Sequence, residues 1–502
     1  MKVEGCSWKQ GDYFLLSAKL LKRAVPASER LWVMGIIKGA FIFPHPPVMI
    51  PEVGRGAERG ADATLASLRK AAEEIGRLKP STIILTSPHG PVFQDFIHIN
   101  TKRILRGDMI KFRAPGVSLE FENNLYLTNK IINIANSEGI ACGGLDKSLA
   151  IRYRISEELD HGAIVPLYFI EKEYNDFKLV HISVAGLPLK ELYRFGSCIG
   201  EAVKQSNERV VFLASGDLSH KLTEDGPYGY NMDGPEYDRQ LLEYLKIPDP
   251  QGLLEFEESF LESAAECGLR SFIMMFGALD GHLVKSDVYS YEGPFGVGYA
   301  IAEFRVGPRL EGGSLMDKLR RTELEELNDI RCSEDPRVAL ARKALEMYVT
   351  DGTVIKIPDV LPEEMDKRRA GVFVSIKKSG QLRGCIGTIA PVRRNIAEEI
   401  IHNAISAGTQ DPRFNPVDQS ELDSLVYSVD VLGEAEAIGS LEELDVIRYG
   451  VIVRSGRRTG LLLPNLEGVD TPEMQVSIAL QKAGIQPSEK YSMERFEVIR
   501  YS

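Results

Sequence analysis

Ile36-Ile37-Lys38-Gly39-Ala40-Phe41-Ile42-Phe43-Pro44-His45 is an apolar run closed by a Pro-His turn, and Thr82-Ile83-Ile84-Leu85-Thr86-Ser87-Pro88-His89 repeats the pattern. Each run has the length and composition of a buried strand. Between them, residues 57–78 show helical spacing and many charges. A strand, a helix and a second strand of these lengths imply a crossover connection, hence parallel pairing. The pattern continues outward. Val210–Ala214 is a further buried strand, leading into Ser215-Gly216-Asp217-Leu218-Ser219-His220, and Ala264–Leu279 has the spacing of one helix. Residues 35–305 are therefore expected to form an α/β domain with a central, largely parallel or mixed sheet flanked by helices.

The remaining text divides at glycine and proline. Residues 306–332 form a linker that opens with Gly307-Pro308 and Gly312-Gly313 and becomes a charged helix, Met316–Leu327. A new helix is expected after Ser333, a good N-cap followed by Glu334, Asp335 and Pro336. Residues 333–502 read as a separate α+β domain. Its expected strands are Gly371–Ile376, Leu425–Leu432 and Gly450–Val453, and its expected helices are Asn395–Ala407 and Glu473–Ala483. Residues 1–34 carry no clear period and read as an extension or a misassigned start, with Met34 as the candidate true start.

Bulk properties narrow the class. The 502 residues are 44% hydrophobic and 26% charged, ordinary values for a soluble globular protein. A net charge of −12 argues against a nucleic-acid partner. No stretch reaches the roughly 18 apolar residues of a membrane span. Six scattered cysteines without a CxxC pair, in a chain this large, fit a reducing cytoplasm better than a disulfide framework.

The chemistry concentrates in a few turns. Of eight histidines, His45, His89 and His220 lie in loops after strands, and His161 lies in Asp160-His161-Gly162. Any one histidine at a turn is more often a satisfied hydrogen-bonder, but the joint pattern points to a shared metal or acid/base centre. His45 and His89 are the candidate imidazole ligands. Each follows a proline, which fixes the backbone and lowers the entropic cost of aiming the ring. The third, anionic ligand is expected from Glu266 or Cys267. Neighbouring helical residues point about 100° apart, so one of the two faces the site. A carboxylate favours iron or manganese, and a thiolate favours zinc or copper. Glu266 also has a structural role open to it, a pair with Arg270 at i,i+4. His220 suits proton transfer to and from a substrate hydroxyl, and His161 suits a hydrogen bond to the same substrate. Asp217 reads equally well as catalytic or as a turn residue. His98, His181, His282 and His402 read as structural or surface residues.

Phe43-Pro44-His45-Pro46-Pro47, Ser87-Pro88-His89-Gly90, Asp160-His161-Gly162-Ala163-Ile164-Val165-Pro166-Leu167 and Ser215-Gly216-Asp217-Leu218-Ser219-His220 resemble the class III extradiol ring-cleavage dioxygenases, the family of the protocatechuate 4,5-dioxygenase catalytic subunit. The resemblance covers roughly residues 35–305. It implies Fe(II) held at His45, His89 and a late glutamate, with His220 as acid/base, His161 on the substrate and a catechol-like aromatic as that substrate. The Memo proteins share this fold, and Cys267-Gly268 resembles their cysteine before glycine, with copper or zinc as the alternative metal.

In the last domain, Gln381-Leu382-Arg383-Gly384-Cys385-Ile386-Gly387-Thr388 sets one thiol among glycines, and Arg383 would lower its pKa if the side chains met. Asp411 and Arg413 can pair in the loop that follows a helix. These segments resemble the AMMECR domain family over residues 333–502. The two-part arrangement resembles the AmmeMemoRadiSam system proteins, which implies a radical SAM protein as partner. A non-catalytic scaffold or binding module is the remaining reading.

Overall fold

The computed structural model describes residues 34–378, 380–466 and 468–502, so the expectation for the N-terminal extension lies, apart from Met34, outside the described residues. The chain divides between Lys318 and Leu319 into two compact units.

The first unit is built on a six-stranded mixed sheet. In chain order its strands are β1 (Ile36–Phe43), β2 (Thr82–Ser87), β3 (Lys178–Ser183), β4 (Arg209–Ser215), β5 (His282–Glu292) and β6 (Tyr299–Arg309), and their spatial order is β3-β2-β4-β1-β6-β5. The β3/β2, β2/β4 and β4/β1 pairs are parallel, whereas β6 runs antiparallel to β1 and β5. The parallel pairs follow from the crossover helices Asp62–Leu78 and Leu189–Lys204. The antiparallel pair needs only the short turn between β5 and β6. All six residues of β2 are buried, as expected of a strand covered on both faces.

This order places the site. Ala214 of β4 stands opposite Ile42 of β1 on one side and Thr86 of β2 on the other. His45, Asp217 and His89 each follow that row by three residues. Three neighbouring parallel strands thus release their candidate residues at one level, beyond their C-terminal ends, where open α/β sheets bind ligands.

The helix expected over Ala264–Leu279 is interrupted. A short helix, Glu258–Ala264, ends there, Ala265 turns left-handed at φ 51°, and the buried helix Leu269–Ala278 starts afresh. The reason is that the carbonyls needed for a continuous ladder are used elsewhere. Ser219 Oγ donates to Ala264 O at 2.8 Å, and His220 Nδ1 donates to Ala265 O. Glu266 and Cys267 therefore lie in a turn, and the helical rule for their directions does not apply.

The second unit carries a seven-stranded antiparallel sheet: β7 (Val372–Lys378), β8 (Gln381–Gly387), β9 (Leu425–Leu432), β10 (Glu436–Ile438), β11 (Tyr449–Ser455), β12 (Arg458–Leu462) and β13 (Ser492–Tyr501). The order is β8-β7-β9-β13-β11-β12, with β10 also paired to β13. Helices Pro336–Asp351 and Ile396–Thr409 bury Val338, Leu345 and Ile400 with Val374, Ile376 and Val429. Helix Pro472–Ala483 closes a smaller core with Val451, Val453 and Leu462. The unit is α+β. Its first cap differs from expectation. The helix Leu315–Ser333 runs through the linker, and Ser333 Oγ donates back to Asp329 O and Ile330 O. Asp335 caps the next helix instead, accepting from Arg337 N at 2.8 Å, with Pro336 behind it.

The turn holding Cys267 depends on two glycines without room for a side chain. A Cβ on Gly216 would lie 2.1 Å from Gly268 Cα, and one on Gly268 would lie 2.5 Å from Phe272 Cζ and 2.9 Å from Asp217 O. Gly216→Ala is expected to cost about 1–3 kcal/mol through forced displacement of this turn. Urea unfolding measures it, and an unchanged midpoint would show that the turn is free to move.

Candidate metal centre

Four segments meet above the β2-β4-β1 edge. His45 Nε2 lies 2.9 Å from His89 Nε2 and 3.7 Å from Cys267 Sγ. These three donor atoms lie within 4.8 Å of one another, and so do those of Asp217, His220 and Cys267. His45 is buried, at 1% exposure, and His89 stands at the open rim. His161 opens the helix His161–Glu173, stacks on His89 at 4.2 Å between ring centres and meets Phe112 at 5.3 Å. Tyr228 meets His220 at 5.3 Å on the other side.

Hydrogen bonds decide which ring nitrogens face the cleft. Ser215 Oγ donates its only proton to Gly162 O at 2.5 Å, so it can only accept from His45 Nδ1, 2.9 Å away. His45 Nε2 therefore carries a lone pair, which faces His89 Nε2 at 2.9 Å. In the same way the Ala265 carbonyl takes the proton of His220 Nδ1 and leaves His220 Nε2 as an acceptor. Asp217 Oδ2 lies 3.8 Å from the first of these nitrogens and 3.9 Å from the second. Its other oxygen accepts from His45 N at 2.8 Å. Second-shell bonds of this kind orient metal ligands and set their tautomers.

The electrostatics favour a cation. Burial pushes His45 down to about 4 despite the Asp217 carboxylate. Desolvation in the cleft and neighbouring His161 bring His89 to about 4, and desolvation with His45 brings His161 to about 4. All three rings are neutral at neutral pH, the form that binds metal. Burial, with Asp217 and Glu266 adding to it, pushes the Cys267 thiol up, although Asp217 N–H points at its sulfur from 3.3 Å. Burial opposes charge on His220, but the Asp217 carboxylate outweighs it and raises this one histidine. The distances also fit. Two nitrogens each about 2.1 Å from one ion lie roughly 3.0–3.4 Å apart between right-angle and tetrahedral geometry, and a nitrogen and a sulfur roughly 3.1–3.6 Å apart, close to the spans observed. The residues present thus fit a divalent metal.

Glu266 is turned to another task. Its carboxylate accepts from Leu269 N at 2.7 Å and from Tyr237 OH at 3.3 Å, with Arg270 at 3.8 Å. It caps the helix Leu269–Ala278. Several further residues shape the site although the sequence assigns them no role. Ser215 is a strand-end serine in the sequence. Asp160 accepts from Ser87 Oγ at 2.5 Å and faces His181 at 3.4 Å, joining the His89 turn to the His161 helix. Asp238, far along the chain, accepts from Ser219 N and Tyr291 OH, both at 2.8 Å, beside His220. His98 and His181 are fully buried.

In the second unit, Asp411 and Arg413 pair at 2.7 Å, and Asp411 also accepts from Cys385 N at 2.9 Å. Arg383 is engaged by Glu421 at 2.8 Å and by the Asn415 carbonyl. Ser375 Oγ donates to the Cys385 sulfur at 3.2 Å, and Arg413, Lys482 and Arg500 lie close enough to interact with it electrostatically.

With this geometry in view, the class is clear. Residues 39–302 match the family described as the catalytic LigB subunit of aromatic ring-opening dioxygenase, and residues 338–502 match AMMECR1. The first match takes in more than half of the chain, which belongs to the LigB family and carries an AMMECR1 domain behind it. That family is metal-dependent and acts on aromatic substrates. A protein of Clostridium acetobutylicum is 47% identical over 466 residues, 93% of this chain and 99% of its own length. A protein of Thermotoga maritima is 51% identical over 170 residues, 34% of this chain and 98% of its own. Among solved structures, an uncharacterized protein of Pyrococcus horikoshii is 34% identical at a TM-score of 0.31, covering 33% of this chain and 88% of that one. No helix among the described residues is long and apolar enough to cross a membrane.

Two pH dependences follow. A thiol that is neutral without metal must release a proton to become a ligand, so metal affinity should rise about tenfold per pH unit across neutrality. Calorimetry in buffers of different ionisation heat counts that proton; Cys267→Ala should lose it, and its persistence would remove Cys267 from the ligand set. Asp238 is pushed up to about 7 from 3.8, chiefly by burial. The unfolded chain ionises first, so the stability this residue contributes is complete below pH 3.8, declines as pH rises and is lost by about pH 7. Asp238→Asn should gain on wild type in urea midpoint over that window and level off above it. A constant difference would contradict the raised pKa.

Proposed function

We propose that the first unit is a metal-dependent ring-opening dioxygenase site for a catechol-like substrate, with His45, His89 and Cys267 as the metal ligands. The convergence of His45 Nε2, His89 Nε2 and Cys267 Sγ within 4.8 Å carries this reading. A bound Fe(II) supplies open positions at which a vicinal diol and dioxygen can meet. His220 Nε2, kept free by the bond from Nδ1 to Ala265 O, accepts a hydroxyl proton from the substrate. The imidazolium so formed is stabilised by Asp217, 3.9 Å away. His161 donates a hydrogen bond to a substrate oxygen, and Phe112 behind it supports the ring at the apolar wall.

One observation favours a second reading. The sulfur of Cys267 faces His45 while the carboxylate of Glu266 is spent on Leu269 N. A thiolate suits copper or zinc, with redox or metal-handling chemistry in place of ring opening. In either case the resemblance to AmmeMemoRadiSam proteins makes a radical SAM protein the partner to seek.

The test is elemental analysis of anaerobically purified wild type and of His45→Ala, Cys267→Ala and Glu266→Ala, followed by turnover of a catechol panel. We expect about one metal per chain, lost in the first two variants and kept in Glu266→Ala. His220→Ala should keep the metal and lose about 10²–10⁴-fold in turnover. Copper or zinc in place of iron would select the second reading. An iron-loaded protein that neither binds nor cleaves any catechol would end the first.

A further inference from the structure

We infer that the cleft has a second cation position, formed by Asp217, His220 and Cys267, which shares the thiolate with the first and removes the proton acceptor when filled. The inference rests on the proposed ligand set for the first position.

Ser215 and Ala265 take the Nδ1 protons of His45 and His220, so both Nε2 atoms present lone pairs to the cleft. Asp217 Oδ2 lies between them, 3.8 Å from one and 3.9 Å from the other. Asp217 is buried, and its other oxygen is occupied by the His45 N–H at 2.8 Å, so Oδ2 is the oxygen that faces the two rings. The Cys267 sulfur adjoins both groups. Acceptors facing one another in a buried cleft repel unless a proton or a cation lies between them. With one ion on His45, His89 and Cys267, the 3.9 Å between Asp217 Oδ2 and His220 Nε2 remains open to either a proton or a second ion.

The donor atoms fall into two groups of three, each within 4.8 Å, with Cys267 common to both. A thiolate has lone pairs for two ions, and the Asp217 N–H aimed at the sulfur from 3.3 Å supports its charge. A nitrogen, a carboxylate oxygen and a sulfur form a borderline donor set, suited to zinc or cobalt and poorly suited to magnesium or calcium. Two dications against one thiolate and one carboxylate leave an excess of positive charge. The second ion should therefore bind roughly tenfold or more weakly than the first. Its binding at His220 Nε2 occupies the lone pair that the proposed reaction uses. Excess divalent metal is then an inhibitor built into the site.

Metal-free full-length protein, titrated anaerobically with Co²⁺, tests this. Equilibrium dialysis gives the stoichiometry, and the sulfur-to-cobalt absorption reports on Cys267. Wild type should bind two equivalents in separate phases. His220→Gln and Asp217→Asn should each lose the weaker one and keep the absorption of the tighter one. The Asn variant keeps the oxygen that accepts from His45 N, and thermal unfolding confirms that both variants fold. His89→Ala should lose the tighter equivalent. A wild type that saturates at one equivalent, lost with His89→Ala and kept with His220→Gln, overturns the second position and leaves the proposed function standing. One equivalent kept in His89→Ala but lost in His220→Gln supports the Asp217, His220 and Cys267 position and removes the first.

Discussion

Ser215 Oγ has a single proton, and the carbonyl of Gly162 takes it. From this one bond the chemistry of the cleft follows. It makes the serine an acceptor toward His45 Nδ1 and so turns the Nε2 lone pair of His45 outward. It also ties the end of β4 to the first turn of the helix that carries His161. Without it His45 could present an N–H to the cleft, and the metal reading would lose its most buried ligand.

The same economy recurs around His220. Its Nδ1 proton goes to the carbonyl of Ala265, one residue past the end of the helix at Ala264. Ser219, one residue earlier, takes the Ala264 carbonyl. Two adjacent side chains of the β4 loop thus end one helix, and the next begins under the Glu266 cap at Leu269. Burial then separates the histidines by role. Three are held neutral, and the one beside Asp217 is raised toward the charged form. One residue type thus supplies rings of opposite protonation tendency through surroundings alone.

Much of this was legible in the sequence because it lies in local signals. β1 and β9 were readable end to end from their apolar runs, and the Pro-His turns marked the ends of β1 and β2. The convergence of His45 and His89 needed only parallel strands that end at one level, with β4 between β1 and β2. What stayed hidden was set by partners distant in sequence. Nothing near Ser215 announces a bond to Gly162, nothing near Asp238 announces Ser219, and the break at Ala265 depends on a loop some 45 residues earlier. Apolar periodicity carried straight through that break, because Ala264, Leu269 and Phe272 are buried on either side of it. In the second unit Arg383 turns to Glu421, a carboxylate that takes the guanidinium in charge-assisted bonds and that nothing near Arg383 in the sequence announces.

The choice between carboxylate and thiolate chemistry comes down to this break. In a continuous helix, Glu266 and Cys267 would project about 100° apart, with the ladder deciding which one entered the cleft. The left-handed turn at Ala265 frees the pair from that geometry. It swings the acid back over the N-terminus of the next helix, where a negative charge is favoured and Leu269 N and Tyr237 satisfy it. The sulfur is left against His45. Gly268 makes the swing possible by letting the turn pass close to Gly216. A carboxylate returned to the cleft would abandon its cap, so helix energetics alone suffice to hold the thiol in its place.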